Sequence, residues 1–518
     1  VNFIDTIFFK LIFEKKMLIL KKNSGMKIQS LLIYLFFNAI FIFSPTFSQD
    51  SLSPIVVAKN QLINDPWVQN ASIAISVIDL KTNEKIISHN DQISLAPAST
   101  TKLFSTASAF EILGANYKTK TRIYGDSRID ENGVIKGDLW VRGGGDISLG
   151  SKFYSIEGLE DEFLEKWVDT LYKMGLRKID GNLIGDGSEY GYQGVPDGWN
   201  WADIGNYYGS GPSGLPIYDN LLRFYLKVGG KVGTKATLIR VFPEIENLNF
   251  NNYILSAKAK GDNSYIYGAP FSYDRFGTGY LPKNSNSFMV KGTLPDPEYQ
   301  FVCEFVRTLK QRGIEITGKA IGARNLNLGS ANLRYTSKQL ILSFDGKTIN
   351  SIAWWTNKKS VNVFAEQLLC WIGKEKGSIG DTKTGLYIVN RFWSKKINSA
   401  GLMLKDGSGL SRSNAINATN FTSLLKYMHL SKNAELFKET LAITGESGTL
   451  SKVCYGQAAH GRIKAKSGTM NKIKSYAGYV ETVNGKQLAF AIIANNYGCT
   501  NDAMLTKIEK FMNAMAKY

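Results

Sequence analysis

Apolar residues run in a β-rich stretch from Ile73 to Leu80, break at Lys81-Thr82-Asn83-Glu84, and return over Lys85 to Ser88. That pattern predicts a hairpin. Past Pro97, Leu103, Phe104, Ala107 and Phe110 recur at helical spacing, which predicts a helix starting near Ser99. Helical periodicity returns over Glu298 to Arg312 and over Ser360 to Ile372. Near the C-terminal end, Tyr476 to Thr482 and Gln487 to Ala494 read as two strands around the turn signal Asn484-Gly485. Met504, Leu505, Ile508, Phe511, Met512 and Met515 then form one apolar helical face, capped at Thr500 or Asn501. Between Lys118 and Pro297 the character changes. Glycine is frequent, β-like runs are short, and turn signals recur at Asn132-Gly133, Gly143-Gly144-Gly145 and Asp180-Gly181. Residues 118–297 therefore read as a β-rich inserted region of one or two subdomains, splitting a domain made of 49–117 and 298–518.

A length of 518 residues exceeds what one core usually serves, so more than one domain is expected. Apolar residues at 44% and charged residues at 20% are ordinary for a globular chain and exclude a disordered one. The formal net charge of +18 attracts polyanions in general. No zinc-ligand spacing, RNP-like motif or dense Lys/Arg run accompanies it, so nucleic acid is not an expected partner. Cys303, Cys370, Cys454 and Cys499 form no C-x-x-C pair, which removes the common metal and redox motifs. Residues 26–48 have a short basic start at Met26-Lys27, an apolar core from Leu31 to Phe43 and a small-residue exit at Ser44 to Ser48. This is the pattern of a cleaved export signal. Cleavage near Ser48 would leave no transmembrane segment in the mature chain. Met26 reads as a natural start, leaving 1–25 as an upstream extension.

The chemistry narrows next. His89, His429 and His460 are the only histidines; none lies in a zinc-protease motif, and neither a G-x-S-x-G elbow nor a P-loop is present. Serine with lysine is the alternative. A serine hydroxyl needs an adjacent base, and Ser99-Thr100-Thr101-Lys102 places Ser99 and Lys102 one helical turn apart on one face. Desolvation can lower a lysine's pKa enough for that task. Alone, S-x-x-K is weak evidence. Ser360-Val361-Asn362 and Lys466-Ser467-Gly468-Thr469 follow in order, the second just before the Tyr476 hairpin. S-x-x-K, S-x-N and K-[ST]-G in this order form the motif set of penicillin-binding proteins and serine β-lactamases. In that reading Ser360 relays a proton to the leaving amine, and Asn362 holds the substrate amide and the lysine. The Lys466 strand pairs with the substrate backbone, while Lys466, Ser467 and Thr469 face its terminal carboxylate. The Ser99 and Thr469 amides form an oxyanion hole.

The resemblance runs further. Leu95 to Lys102, Gly143-Gly144-Gly145-Asp146, Gly198-Trp199-Asn200-Trp201, Asn357 to Asn362 with Ala365-Glu366, and Asp406-Gly407-Ser408-Gly409-Leu410-Ser411 resemble segments of the D-alanyl-D-alanine carboxypeptidase/endopeptidases, the class C low-molecular-mass penicillin-binding proteins. The likeness covers 50–518. It implies an α/β (α+β) fold: a transpeptidase/β-lactamase-like domain with an antiparallel sheet flanked by helices, interrupted by a large β-rich insertion. It also implies cleavage of peptidoglycan stem peptides or crosslinks through an acyl-enzyme, inhibition by β-lactams, no metal or cofactor, and a periplasmic location. Lys-Ser-Gly stands here where Lys-Thr-Gly is commoner in the family, with the hydroxyl kept. Asp186, in Gly185-Asp186-Gly187-Ser188, looks like an acid of the insertion that faces the cleft in relatives and would bind the amine of a diamino acid; a turn aspartate is the other reading. Two alternatives stay open: a β-lactamase or esterase on the same scaffold, and a catalytically silent wall-binding protein.

Overall fold

The computed structural model describes residues 53–326 and 335–518; the expected export signal at 26–48 and the stretch before it lie outside the described residues. The expected first hairpin forms from β1 (Ser72–Asp79) and β2 (Lys85–His89), paired antiparallel. The expected second hairpin forms from β5 (Ile473–Glu481) and β6 (Gln487–Asn495), with β4 (Ile463–Met470) and the short β3 (Ala442–Ile443) beyond it. β1 pairs with β6, so the two ends of the described chain close one antiparallel sheet in the order β3-β4-β5-β6-β1-β2.

This sheet is covered on both faces, and the two-residue side-chain period shows how. Ala489, Ala491 and Ile493 of β6 join one core, while Leu488, Phe490, Ile492 and Ala494 join the other. The second core is completed by α1 (Pro54–Ile63) and by the C-terminal α6 (Asn501–Lys517), which supplies Met504, Ile508, Phe511, Met512 and Met515 as its periodicity predicts. Thr500 is the cap: its hydroxyl accepts from Ala503 N at 3.2 Å. The first core is built by α2 (Lys102–Ile112), α3 (Ile349–Lys358), α4 (Asn362–Lys376) and α5 (Ala418–His429). The helix expected from Ser99 is entered through a 3₁₀ turn over Ala98–Thr101 and becomes α-helical at Lys102.

The change of character at Lys118 marks the first strand of a third core. Residues 118–125, 139–142, 183–186, 320–322 and 339–348 form a five-stranded sheet, with smaller sheets built from 134–136 to 315–316 beside it. The insertion expected over 118–297 does not stop there. The helix Pro297–Gln311 adds Phe301, Val302, Phe305 and Leu309 to the same core, and Phe344 stacks on Trp167 with ring centroids 4.1 Å apart. Lys118 pairs with Thr348, and Ile349 N donates to Tyr117 O at 3.0 Å, so the chain leaves and re-enters the first body at one point. We therefore place the insertion at 118–348. One helix inside it, Glu162–Lys173, lies outside the elements expected from sequence, although Leu164, Trp167, Val168 and Leu171 carry its buried face.

Candidate active site

The site sits where β4 passes the Ala98–Thr101 turn and the first residues of α4. Pro97 and Ala98 bend the chain into that turn, and Ala98 takes φ 48°, a left-handed conformation that costs a non-glycine residue. The turn is held by Thr100 Oγ1, which donates to Pro97 O at 2.7 Å, and by Ser475 Oγ of β5, which donates to the same carbonyl at 2.5 Å. β4 can pass this close because residue 468 is glycine. A methyl group there would come within 2.5 Å of Pro97 O and 3.0 Å of Ser99 N.

All three sequence motifs converge. Lys102 Nζ lies 2.9 Å from Ser99 Oγ, 2.6 Å from Asn362 Oδ1 and 2.7 Å from Ser408 O. Lys466 Nζ donates to Ser360 Oγ at 2.9 Å and to Ser467 O at 2.8 Å. Ser467 Oγ is 2.7 Å from Thr449 Oγ1. Ser360 stands just before α4 with φ 60°, a second left-handed residue, so its hydroxyl is aimed by strained backbone rather than by a helix face. Asn362 Nδ2 donates to Tyr208 O at 2.7 Å, which ties α4 to the insertion.

Both lysines are fully buried. Burial disfavours their charged forms. It brings Lys102 down to about 7, against the opposing pull of Asp406 and Glu366. Lys466 falls well below the usual lysine value, first through burial and then through the nearby Lys102 charge. Neither lysine is ion-paired to a carboxylate among the described residues. The contacts of Lys102 set its proton chemistry. Asn362 Oδ1 and Ser408 O only accept; the Ser99 hydroxyl alone among the three can also donate. A neutral Lys102 amine that spends both N–H groups on the two acceptors turns its lone pair toward the Ser99 proton.

A buried loop supports that geometry. Glu366 of α4 accepts from Gly407 N at 2.9 Å and Ser408 N at 2.7 Å, which orients the Ser408 carbonyl. Burial and the neighbouring Asp406 raise the pKa of Glu366. Asp406 accepts from Gly409 N at 2.7 Å and Ser411 N at 2.6 Å. Trp199 of the insertion donates its indole N–H to Asp406 at 2.9 Å, so the two glycine-flanked segments quoted from sequence meet in space. Sequence reading singled out these segments but assigned no role to Glu366, Asp406 or Ser408. Their task is to hold backbone, which no motif spells out.

Asp186 is not part of this cluster. It is 1% exposed, its carboxylate accepts from Tyr335 Oη at 2.7 Å and from Ser188 N at 2.9 Å, and it makes none of the hydrogen bonds around Ser99 and Lys466. The histidines stay outside as well; His460 Nδ1, for one, accepts from Gly456 N at 3.1 Å.

Comparison with known proteins agrees with this geometry. The family model described as D-Ala-D-Ala carboxypeptidase 3 (S13) family matches residues 57–518. The chain is 26% identical over 481 residues to a D-alanyl-D-alanine carboxypeptidase of Actinomadura sp. strain R39, covering 88% of this chain and 84% of that protein. It is 25% identical over 509 residues to D-alanyl-D-alanine carboxypeptidase DacB of Haemophilus influenzae, covering 92% and 97%. The crystal structure of penicillin binding protein 4 from H. influenzae has a TM-score of 0.74 and 22% identity, covering 89% of this chain and 99% of that one, which establishes a common fold. The same protein complexed with a β-lactam matches with a TM-score of 0.68 and 20% identity, covering 90% and 99%.

Proposed function

Because the chain belongs to the D-Ala-D-Ala carboxypeptidase 3 (S13) family, we propose that it cleaves peptides ending in D-Ala-D-Ala through an acyl-enzyme on Ser99, and that β-lactams acylate the same serine. The observation that carries this reading is the buried Lys102 amine, 2.9 Å from Ser99 Oγ with its other two partners acceptor-only.

The steps follow from these contacts. Lys102, neutral above about pH 7, takes the Ser99 proton as Ser99 Oγ attacks the carbonyl carbon of the penultimate D-Ala. The developing oxyanion lies between the Ser99 and Thr469 amides at the crossing of β4 and the Ala98–Thr101 turn. Ser360, hydrogen-bonded to Lys466, relays to the departing amine the proton that Lys102 took from Ser99, which returns Lys102 to its neutral form. The substrate's terminal carboxylate is received by Lys466 together with Ser467 and Thr469. A carboxylate arriving there favours the charged form of Lys466, offsetting the burial that lowers it when the site is empty. Water then hydrolyses the ester, with Lys102 again placed to accept a proton. A free carboxypeptidase substrate and a crosslink share this site, so both cleavages belong to the proposal. Export through the 26–48 segment to the periplasm, where peptidoglycan peptides are found, is part of the same reading.

Intact-protein mass spectrometry after exposure to benzylpenicillin, with peptide mapping, tests it. The expected result is one penicilloyl adduct on Ser99, absent from a folded Ser99→Ala variant. An adduct elsewhere, or unimpaired peptidase activity in Ser99→Ala, refutes the nucleophile. Penicillin consumed without a lasting adduct would move the protein to the β-lactamases.

A further inference from the structure

Antiparallel strands at a surface commonly bury one face and turn polar side chains outward. The strands Asn263–Tyr267 and Asp274–Pro282 of the insertion keep only half of that rule. Their inward residues Ile266 and Leu281 are fully buried in the insertion core. The outward residues that alternate with them are mostly aromatic: Tyr265 and Tyr267 on one strand, Phe276 and Tyr280 on the other. Trp201, at the start of the short helix Trp201–Ile204, brings a further ring beside Tyr267. Trp201 is 52% exposed, Tyr265 46% and Tyr280 53%, so these rings meet water rather than a core. No step of the peptidase reaction uses them.

Three of the rings form a row. Tyr267 lies in the middle, its centroid 6.2 Å from that of Trp201 and 6.5 Å from that of Tyr265, with planes inclined by 34° and 36°. Phe276 stacks on Tyr267 at 4.7 Å and fixes the middle ring. Register sets short polar side chains beside the rings: Thr278 opposite Tyr265, and Asn251 beside Phe276. The strand bearing the row is tied to the catalytic cluster. Ile266 N, between the two tyrosines, donates to Asn206 Oδ1 at 3.0 Å; two residues on, Tyr208 O accepts from Asn362 Nδ2 at 2.7 Å.

This surface has a chemical preference. The face of an aromatic ring is the negative side of its quadrupole. A pyranose ring offers that face a flat patch of polarised C–H bonds and turns its hydroxyl and acetamido groups sideways, where Thr278, Asn251 and the tyrosine hydroxyls can meet them. Successive rings in a row suit successive sugars of one chain. Exposed apolar patches rimmed by polar groups mark interaction sites. Trp201, Tyr265 and Tyr267 act through ring faces, so their attraction differs from the general pull of a +18 chain on anions.

We propose that Trp201, Tyr265 and Tyr267 form a sugar-stacking surface that holds the glycan chain from which the peptide substrate hangs. The identity of that chain rests on the peptidase reading, since peptidoglycan peptides are carried on chains of β-linked amino sugars. A glycan held here raises the effective concentration of its attached peptides at Ser99 without any new contact to the peptide itself.

Isothermal titration calorimetry with chitotetraose, the neutral tetramer of N-acetylglucosamine, tests the surface directly. The native protein should bind it saturably, with an affinity that raised salt leaves unchanged. Trp201→Ala/Tyr265→Ala should weaken binding about tenfold, while Trp201→Phe/Tyr265→Phe should keep most of it. Normal benzylpenicillin acylation of each variant shows that it is folded with its catalytic centre intact. On pentapeptides attached to glycan chains the Ala variant should lose about tenfold in kcat/KM, and on the free pentapeptide nothing. Absence of native binding, equal binding in native protein and Ala variant, or binding abolished by salt overturns the proposal. So does a native dimer in sedimentation that the Ala variant dissociates, which would give the face to a second copy of the chain. A native protein that binds the tetramer yet forms no penicilloyl adduct would keep the surface and sink the peptidase reading, whereas an adduct without tetramer binding would sink only the surface.

Discussion

In the proposed mechanism Lys102 works as a base only because water is kept from it. An ammonium sealed beside Ser99 with two acceptor oxygens and no direct counter-charge loses most of the solvation that holds a free lysine protonated. Asp406 and Glu366 act against this from behind the Ser408 backbone. The expected pH dependence follows in sign. The active form is the neutral amine, so the rate constant for acylation by benzylpenicillin should rise through about pH 7 and level off above it. Stopped-flow acylation from pH 5 to 9 measures this. Removing Asp406's charge in Asp406→Asn takes away an interaction that favours protonated Lys102, so the midpoint should move down. A midpoint near that of a free lysine would remove Lys102 from the role of base.

At the scale of elements, the proposed catalysis depends on three pieces of backbone crossing within a few ångströms: the Ala98–Thr101 turn, β4, and the loop after Asp406. Gly409 is where the loop touches the turn. Its φ is 82°, and a methyl group there would fall 1.9 Å from Ala98 O and 2.8 Å from Thr101 Oγ1. Gly409→Ala must therefore push the turn away from β4, or leave the left-handed region and lose the Gly409 N–H bond to Asp406. We expect about 2 kcal/mol or more of lost stability in urea denaturation, together with at least a tenfold slower acylation. Normal acylation in a destabilised variant would show that the turn tolerates displacement and that the crossing is not what positions Ser99.

Two buried lysines at one site have a consequence for the molecule as a whole. A lysine near 7 in the folded chain and 10.5 as a free side chain leaves the unfolded state binding more protons between those values. Stability then rises with pH across that window, and the penalty is full below about 7. Lys466 acts in the same direction. Denaturant midpoints should therefore climb from pH 7 to 9, with a smaller slope in Lys102→Met. An equal slope in both proteins would mean that Lys102 stays charged when folded. The two cores meeting at this cluster, one from the antiparallel sheet with its helices and one from the insertion, are joined by Trp199 to Asp406 and by Asn362 to Tyr208. The active site is thereby part of the interface between them.

Much of this was legible in the chain itself. Alternation and turn signals set out β1-β2 and β5-β6, and the apolar spacing set out α2 and α6, because these elements bury one regular face each. The order of Ser99, Lys102, Ser360, Asn362 and Lys466 pointed to the proposed chemistry, since each side-chain type has its own step in it. Other features depended on contacts between distant segments. The insertion runs on to Thr348 because Lys118 and Thr348 pair, a long-range match with no local composition signal. The helix Glu162–Lys173 was masked by the glycine-rich, β-like sequence around it, although its spacing was present. Asp186 read either as a cleft acid or as a turn aspartate, and in the fold its carboxylate accepts from Tyr335 Oη and Ser188 N. Residue types and their spacing determined which groups could react. Burial, strained backbone at Ala98 and Ser360, and the carbonyl of Ser408 decided which of them can, because desolvation and hydrogen-bond direction exist only once the chain has closed around them.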